Sequence, residues 1–384
     1  VPAQGPQLMA RLRVLHVIQN LNYGGMERLF ADLVRLLDPE RFESHVMYVN
    51  YLGRFGEGLE RYAAIHQAVP LPRWSMLHPG PLVRQIAAIK PDVMHTHSGV
   101  WYKFSLAARQ AGVPRLVHTE HGRKFPDPWL DRLIARLASR RTDVVVAVSE
   151  VLARHLRDDV VSHPDRVVLV PNGVDTELHR PRPDDGALRQ ELGLSAEVPV
   201  IGSIGRLEPI KGYDIMVEAF AQLRKQWSGG VPPVLVVGGE GSDRGHLEQL
   251  IQAHGLQGQV HLLGWRDDVD HMQSAFAFFT MTSRSEGTSV SLLEAMSAGL
   301  TPIVTNVGGN AAVLGDVLRH RLVTPGDVPA IAAGWAAALG DRAKLRADSM
   351  IARRRVEDDF SLKAMVRAYE ALYSATPAIT REGA

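Results

Sequence analysis

The chain has 384 residues, more than one ordinary hydrophobic core holds, so we expect two domains. Its 45% apolar and 22% charged residues are typical of a globular protein, and a formal net charge of +1 argues against a nucleic-acid partner. Because there is no cysteine, a disulfide framework and a thiolate metal site are excluded.

The sequence also bears on the compartment. No apolar run approaches the ~20 residues that cross a bilayer, and residues 1–10 lack the order of charged, apolar and small residues of a secretion signal. We therefore expect a cytoplasmic protein. Residues 1–180 hold 23 Lys and Arg against 18 Asp and Glu, whereas the rest holds 20 against 24, which leaves the first half able to favour an anionic surface.

Short β-branched runs alternate with helical stretches along the whole chain. This alternation predicts parallel sheets covered on both faces, and hence two doubly wound, Rossmann-like α/β domains at 1–180 and 195–360. The predicted strands are 13–18, 45–50, 92–97, 115–119, 143–148 and 166–170 in the first domain, and 198–204, 234–237, 260–263, 275–281 and 301–305 in the second.

Four histidines lie in or just after two strands of the first domain: His95, His97, His118 and His121. They are candidate zinc ligands, although the close spacing on one helix is missing and no cysteine is present. The simpler interpretation makes His95 and His118 core groups and leaves His97 and His121, at the strand ends, for a functional cleft. We expect no metal.

Residues 129–141 predict a basic amphipathic helix with two stripes. The apolar stripe is Leu130, Leu133, Ile134 and Leu137, and the basic stripe is Arg132, Arg136 and Arg140. The simplest interpretation is that the apolar stripe packs on the first sheet while the arginines are solvated. Contact of the arginines with anionic lipid is the alternative.

Prolines mark the connection between the two series of strands. Pro181 and Pro183, without hydrophobic periodicity, predict a linker with a connecting helix at 181–194. Near the end of the chain, apolar residues at helical spacing between Leu362 and Tyr373 predict a helix over 361–376.

The segment from Gly205 to Gly212 follows a predicted strand and precedes a predicted helix. Arg206 and Lys211 on this glycine-flanked turn can close on a diphosphate from two sides. The competing interpretation is a pair of solvated surface residues.

The segment from Ser285 to Ala295 follows another strand of the same domain. Ser289 or Ser291 can cap a helix there, which would turn the amides of residues 288–291 toward an anion. Glu286 and Glu294 would then flank a phosphate pocket, and because carboxylates repel phosphate we expect them to bind hydroxyls. An ordinary helix start with surface glutamates is the alternative.

Together these segments resemble the retaining glycosyltransferases of family 4, of the bacterial group 1 type, which have the GT-B fold. The resemblance extends from Arg13 to about Tyr373. It implies two Rossmann-like domains facing an interdomain cleft, with the last helix crossing back to the first domain. It rests on Gly205-Arg206-Leu207 with Lys211-Gly212, on Glu286 and Glu294, on Pro171-Asn172-Gly173-Val174-Asp175, and on Gly24-Gly25-Met26-Glu27.

The resemblance implies roles for the matching residues. Arg206 and Lys211 resemble the pair that stabilises the departing diphosphate, Glu294 the acceptor of ribose hydroxyls, and Glu286 the carboxylate beside the donor sugar. His121 lies where the family has a histidine that reaches that sugar. The remaining implied positions are Gly24, Gly25, Gly264, Arg266, Gly287, Thr288 and Ser289 for the donor, and Glu27, His97, Arg123 and Lys124 for the acceptor.

The chain departs from the family pattern at Ala311-Ala312, where Pro-Glu is usual, and at Thr288, where an aromatic is frequent. The implied activity is metal-independent transfer of a hexose-type residue, with retention, from a nucleotide-sugar such as a UDP or GDP sugar. The acceptor is expected to be a hydroxyl of a glycan, a lipid-linked or a small molecule in polysaccharide or glycoconjugate synthesis. No cofactor is expected, and a lipid-linked acceptor would bring the protein to the inner face of the membrane.

Three other classes stay open. A GT-B epimerase would share the donor but need no acceptor, and a two-domain sugar-binding protein would normally carry a secretion signal. A dinucleotide-dependent dehydrogenase needs a Gly-x-Gly-x-x-Gly turn, whose spacing Gly238-Gly239-Glu240-Gly241 lacks.

Overall fold

The computed structural model describes residues 11–22, 24–70, 78–123 and 127–375. They divide into two compact units: unit 1 holds the residues up to Pro171 together with those from Met365 onward, and unit 2 holds Asn172–Ala364. The division lies before the predicted linker at 181–194, which therefore belongs to unit 2.

The described residues of unit 1 form a seven-stranded parallel sheet in the order β3-β2-β1-β4-β5-β6-β7. This is a doubly wound order, and its direction reverses between β1 and β4. The strands are β1 (Leu12–Asn20), β2 (Phe42–Tyr51), β3 (Ala64–Gln67), β4 (Val93–His97), β5 (Arg115–Glu120), β6 (Val144–Ala147) and β7 (Val167–Leu169). The helices are α1 (Gly25–Leu36), α2 (Gly80–Ile89), α3 (Trp101–Gln110), α4 (Trp129–Ser139) and α5 (Glu150–His155).

The described residues of unit 2 form a six-stranded parallel sheet of the same kind, in the order β10-β9-β8-β11-β12-β13. The strands are β8 (Val200–Ile204), β9 (Val234–Gly238), β10 (Val260–Leu262), β11 (Phe278–Met281), β12 (Pro302–Thr305) and β13 (Leu322–Val323). The helices are α6 (Ala187–Leu192), α7 (Tyr213–Gln226), α8 (Arg244–Ala253), α9 (Val269–Ser274), α10 (Val290–Ser297), α11 (Asn310–Leu314), α12 (Val328–Gly340) and α13 (Arg342–Asp359).

Both faces of the unit 2 sheet are covered by apolar side chains. Successive side chains of a strand point to opposite faces, and the neighbours Phe278 and Phe279 of β11 accordingly join different cores. Phe278 packs with Phe220 and Trp335, whereas Phe279 packs with Leu293. The predicted class of two doubly wound α/β domains is confirmed.

One packing prediction is wrong in part. The buried residues of α4 are Ala135, Ala138 and Ser139, and of the predicted apolar stripe only Ile134 and Leu137 are half-buried. Leu130 and Leu133 remain 48% and 46% exposed. The hydrophobic pattern shows that the helix is amphipathic, but here the short side chains are on the face that lies against the unit.

The last helix, α14 (Leu362–Ser374), returns to the unit 1 sheet. The Tyr373 hydroxyl lies 2.6 Å from Nδ1 of His95, and that of Tyr369 lies 3.0 Å from Oγ1 of Thr119. Arg115 donates from Nε to the carbonyl of Leu372 at 2.6 Å. None of the described helices has the length and apolar character that crossing a membrane requires.

Candidate functional site

In unit 2, the two segments singled out in the sequence follow adjacent strands. Residues 205–212 follow β8, and residues 282–289 follow β11, which pairs with β8. The strand order reverses at this pair, and in doubly wound sheets ligands bind at the carboxyl ends of such strands. The fold therefore brings both segments to one ligand-binding position.

Close contacts and hydrogen bonds connect the segment 205–212 and the start of α7 to the segment 282–289. Gly212 has φ 65°, and a Cβ on it would lie 2.3 Å from the carbonyl oxygen of Thr282. The Thr282 hydroxyl donates to the Gly212 carbonyl at 2.8 Å, and Arg284 forms a bidentate pair with Asp214 at 2.8 and 2.6 Å. Glycine is therefore required at 212 by both its backbone angle and this close approach.

The two basic side chains of the first loop have different surroundings. Lys211 donates from Nζ to Oε1 of Glu286 at 2.7 Å, and the same oxygen accepts from the Ser283 hydroxyl at 2.6 Å. Arg206 is exposed and has no carboxylate partner among the described residues. Arg206, Lys211 and Glu286 together keep a net positive charge, as an anion site requires.

The amino end of α10 is built as expected for an anion site. Ser289 is the N-cap, and its hydroxyl accepts from the amide of Leu292 at 3.4 Å. The first amides of a helix lack partners within the helix and lie at its positive end. Gly287 and Thr288 precede the cap, which places all three predicted residues at this helix end.

Two supports of this turn were not predicted. Asn172 donates from Nδ2 to the carbonyl of Thr288 at 2.9 Å. A Cβ on Gly308, which has φ 51°, would lie 1.7 Å from the carbonyl oxygen of Glu286. The motif Pro171-Asn172-Gly173 and the glycine pair at 308 and 309 were visible in the sequence, but nothing local indicated what they touch.

Glu294 lies on α10 and is only 6% exposed. Its Oε1 is 3.5 Å from Nε2 of His179, which is itself buried. The carbonyl of His179 accepts from Ser297 and Arg353, so the imidazole is held against the helix. His179 carried no signal in the sequence, because it lies outside every recognised segment.

Gly264 and Arg266 follow β10. The carbonyl of Gly264 accepts from the amide of Gly239 at 2.7 Å, and a Cβ on Gly239 would lie 1.9 Å from the carbonyl oxygen of Gly205. The glycine-rich turn after β9 thus supports the loop of Arg206. The Arg266 guanidinium is bound by Asp268 and Glu191, whose contacts raise its pKa, so it does not offer an unpaired charge to a ligand.

In unit 1, His97 and His121 meet at the ends of β4 and β5. Nδ1 of His97 lies 3.1 Å from Nε2 of His121, and their rings stack. Burial lowers the pKa of His121 to about 4, so its imidazole is neutral near pH 7. A neutral imidazole has one donor and one acceptor nitrogen, which suits a sugar hydroxyl.

Arg123 is committed to an ionic network beside these histidines. It bonds to Glu120 at 3.2 Å and to Asp127 at 2.7 Å. Burial alone would raise the pKa of Glu120, but His118, Ser98 and Arg123 outweigh it and lower that pKa to about 2. Arg123 therefore shapes the surroundings of His121 as half of an ion pair, and Lys124 lies outside the described residues.

The three predicted residues near the amino end of α1 were Gly24, Gly25 and Glu27. Gly25 begins the helix and Glu27 lies in its first turn. Gly24 has extended backbone, with φ 162°, and a Cβ there would meet only the end of the Glu27 side chain. Within the described residues, the fold itself therefore does not require glycine at 24.

The histidines also bear on the zinc alternative. Among the described residues, the set that comes together is His16, His95 and His97, each with a ring nitrogen within 4.8 Å of the others. His95, however, contacts Tyr373 at 2.6 Å and Thr119 at 2.8 Å through its two nitrogens. A metal would have to displace one of these hydrogen bonds, so the triad does not fit a preformed metal site.

The fold and the loops of unit 2 define a nucleotide-binding α/β protein, with a basic loop and a capped helix at the point where the strand order reverses. Comparison with known proteins gives the family. Residues 23–178 match the model of Glycosyltransferase Family 4, and residues 184–355 match that of Glycosyl transferases group 1. The chain belongs to this family of GT-B glycosyltransferases, which use nucleotide-sugar donors.

Several relatives carry related descriptions. The chain is 29% identical over 347 residues to the putative glycosyltransferase EpsF of Bacillus subtilis (strain 168), covering 85% of this chain and 88% of that one. It is 29% identical over 300 residues to the UDP-Gal:alpha-D-GlcNAc-diphosphoundecaprenol alpha-1,3-galactosyltransferase of Escherichia coli, covering 74% and 75%. The fold is similar to that of Anabaena HepE solved with UDP, with TM-score 0.81 and 23% identity over 95% of this chain and all of that one.

Proposed function

We propose that the protein transfers a hexose from a UDP-sugar to a hydroxyl of a lipid-linked glycan, with retention at the anomeric carbon and without a metal ion, in polysaccharide synthesis. The observation that carries this proposal is the position of Arg206, Lys211 and the amino end of α10 around one point of the unit 2 sheet. These groups supply the positive charge that a departing diphosphate needs.

The reaction is a substitution at the anomeric carbon. The bond from that carbon to the diphosphate oxygen breaks, and its electron pair stays on the oxygen as UDP leaves. The acceptor oxygen bonds to the carbon from the same face, and its proton passes to the departing phosphate. Glu286, with its carboxylate engaged by Lys211 and Ser283, would lie beside the sugar as a hydrogen-bond acceptor.

The choice of donor and acceptor rests on relatives. The Escherichia coli relative takes UDP-Gal and a diphosphoundecaprenol-linked sugar, and HepE was solved with UDP. On the acceptor side, we propose that Glu27, His97 and His121 face the incoming hydroxyl. We further propose that the protein meets a lipid-linked acceptor as a peripheral protein at the inner face of the membrane.

A panel of UDP, GDP and ADP sugars tests the donor. A ligand at 100 times its dissociation constant stabilises a protein by about 2.7 kcal/mol, so the correct nucleotide should raise Tm clearly above the others. Preference for GDP or ADP sugars would contradict the UDP assignment.

Product analysis tests the chemistry. With a lipid-linked acceptor and EDTA, NMR of the product should show the donor's own anomeric configuration. Inversion, or loss of activity in EDTA that Mg²⁺ or Mn²⁺ restores, would refute retention or metal independence. Conversion of the donor to an isomer with no acceptor present would identify an epimerase instead.

A further inference from the structure

Three large apolar side chains of α4 are exposed: Trp129 at 70%, Leu130 at 48% and Leu133 at 46%. Positions i, i+4, i+7 and i+11 share one side of a helix, which places Trp129 and Leu133 on the same side as Arg136 and the capping residue Arg140. Arg132 is at the edge of that side. We call Trp129, Leu130, Leu133, Arg132, Arg136 and Arg140 the α4 face.

The arginines of the α4 face have no carboxylate partner within the described ranges 11–22, 24–70, 78–123 and 127–375. Arginines on α13 provide a contrast. There, Arg353, Arg354 and Arg355 each form an ion pair with a carboxylate four residues on. The α4 face therefore combines uncompensated positive charge with exposed aromatic and aliphatic groups.

We propose that the α4 face docks on an anionic phospholipid surface. Tryptophan and leucine enter the boundary between headgroups and acyl chains, while arginines bind lipid phosphates. An acidic protein surface would satisfy the charge but has no need of three exposed apolar groups. This inference rests on the proposed lipid-linked acceptor and names the surface that meets the membrane.

The position of a cavity in unit 1 supports this docking. A cavity of about 680 Å³ is lined by Asp131, Ile134 and Ala135 of α4, and also by Glu120 and Arg123 beside His121. The helix thus carries the docking face on one side and lines this cavity with another. When the α4 face is bound to the membrane, an acceptor anchored in the bilayer would lie next to this cavity.

Flotation with vesicles tests the proposal. The full chain should bind vesicles containing phosphatidylglycerol, bind those of pure phosphatidylcholine weakly, and be released by salt. Each basic residue near an anionic surface contributes roughly fivefold in affinity, so Arg132→Glu/Arg136→Glu/Arg140→Glu should weaken binding on the order of 100-fold. Trp129→Ser/Leu130→Ser/Leu133→Ser should weaken it as well, because the apolar contacts are lost.

A matched control is available on α13 of unit 2. Arg342, Lys344 and Arg346 are exposed, and no described residue forms an ion pair with them. Arg342→Glu/Lys344→Glu/Arg346→Glu makes the same change in net charge outside the α4 face and should leave vesicle binding within about twofold of the unsubstituted protein. Circular dichroism and the UDP-sugar thermal shift should be unchanged in all three variants.

Unchanged vesicle binding by both α4 variants would overturn the inference, as would equal losses in the α13 control. Binding lost only with the arginines and fully kept in the serine variant would show attraction by charge alone, with no entry of Trp129, Leu130 and Leu133 into the bilayer, and would also overturn it. Transfer to a short-chain acceptor in solution reports on the proposed function separately. It should persist in the α4 variants, whereas its absence in the unsubstituted protein would refute that function without touching the docking.

Discussion

Arg206 and Lys211 sit on one loop, yet only Lys211 is paired with a carboxylate. Glu286 fixes the ammonium in place at 2.7 Å, while the Arg206 guanidinium is exposed. A diphosphate would contact the exposed Arg206 guanidinium directly. It would compete with Glu286 for the Lys211 ammonium. The two residues should therefore differ in how they affect binding, although both are proposed to stabilise the leaving group.

We expect Arg206→Ala and Lys211→Ala each to lower kcat on the order of 100-fold or more at saturating donor, because each removes a charge that stabilises the departing diphosphate. Lys211→Ala should also raise KM for the donor, since Glu286 then repels phosphate. Adding Glu286→Gln should restore KM but not kcat. Arg342→Ala, an exposed arginine on α13, is the control. Near-normal turnover in both single variants would refute the assignment.

At the scale of elements, the turn before α10 depends on the backbone at Gly308. A side chain there would collide with the Glu286 carbonyl at 1.7 Å, in addition to the cost of φ 51°. Gly326 has φ 75°, and a Cβ on it would have no described atom within 4 Å, so it carries the angle cost alone.

Gly308→Ala should therefore lower the free energy of unfolding by more than the ~1–3 kcal/mol expected for a strained backbone angle. It should also weaken donor binding. Gly326→Ala should show only the angle cost and leave the Kd for UDP-sugar unchanged. Urea unfolding and calorimetric titration of the donor measure the two quantities. Equal effects of the two substitutions would show that the contact with Glu286 does not matter.

Two histidines, His16 within β1 and His121 directly after β5, make stability sensitive to acid. Burial lowers the pKa of His16 to about 3 and that of His121 to about 4. An unfolded histidine has a pKa of about 6.5, so between these values only the unfolded chain binds the proton. The stability gained by keeping these two histidines neutral is fully present above pH ~6.5 and is lost as the pH falls toward their native pKa values.

The free energy of unfolding should consequently fall by roughly 1.4 kcal/mol per pH unit for each such histidine between pH 6 and pH 4.5. His16→Gln should reduce the slope of the unfolding free energy against pH by the amount that corresponds to about one proton. The reason is that both ring nitrogens of His16 are buried without a described partner. The exposed His254, changed to Gln, is the control. Urea titrations across this range measure the slope, and an identical slope for the His16 variant would contradict this account.

Local sequence predicted the elements better than their contacts. Every strand expected from a β-branched run is present, because buried parallel strands need continuous apolar residues. The edge strands β3 and β13 were missed, since they are short and not buried. Lys211 and Glu286 are 75 residues apart, and only the pairing of β8 with β11 brings them together.

The fold class follows from periodicity, but which face of a helix is buried depends on its neighbours. Nothing in the spacing of Leu130 and Leu133 distinguishes packing from exposure, and the structure leaves both exposed. Likewise, the sequence offered four histidines, yet the set that clusters includes His16 from the first strand. That grouping depends on β1 lying beside β4.

At the scale of the whole molecule, unit 1 is completed by the last helix of the chain. The contact between His95 and Tyr373 joins residues 278 positions apart, and Glu370 pairs with Arg41 at 3.1 Å. Unit 1 therefore reaches its native packing only after the intervening unit has been synthesised.

Tyr373→Phe tests how much that closing contact contributes. The substitution keeps the ring but leaves Nδ1 of the fully buried His95 without its partner, which should cost about 1–3 kcal/mol. Hydrogen exchange should accelerate in β4 and β5, while the Kd for UDP, whose proposed phosphate contacts Arg206 and Lys211 lie in unit 2, stays unchanged. Tyr62→Phe, at a tyrosine that is 52% exposed, is the matched control. Within the described residues the Tyr373 hydroxyl has His95 as its hydrogen-bond partner. Faster exchange confined to unit 2 would therefore contradict this account of how α14 stabilises the molecule.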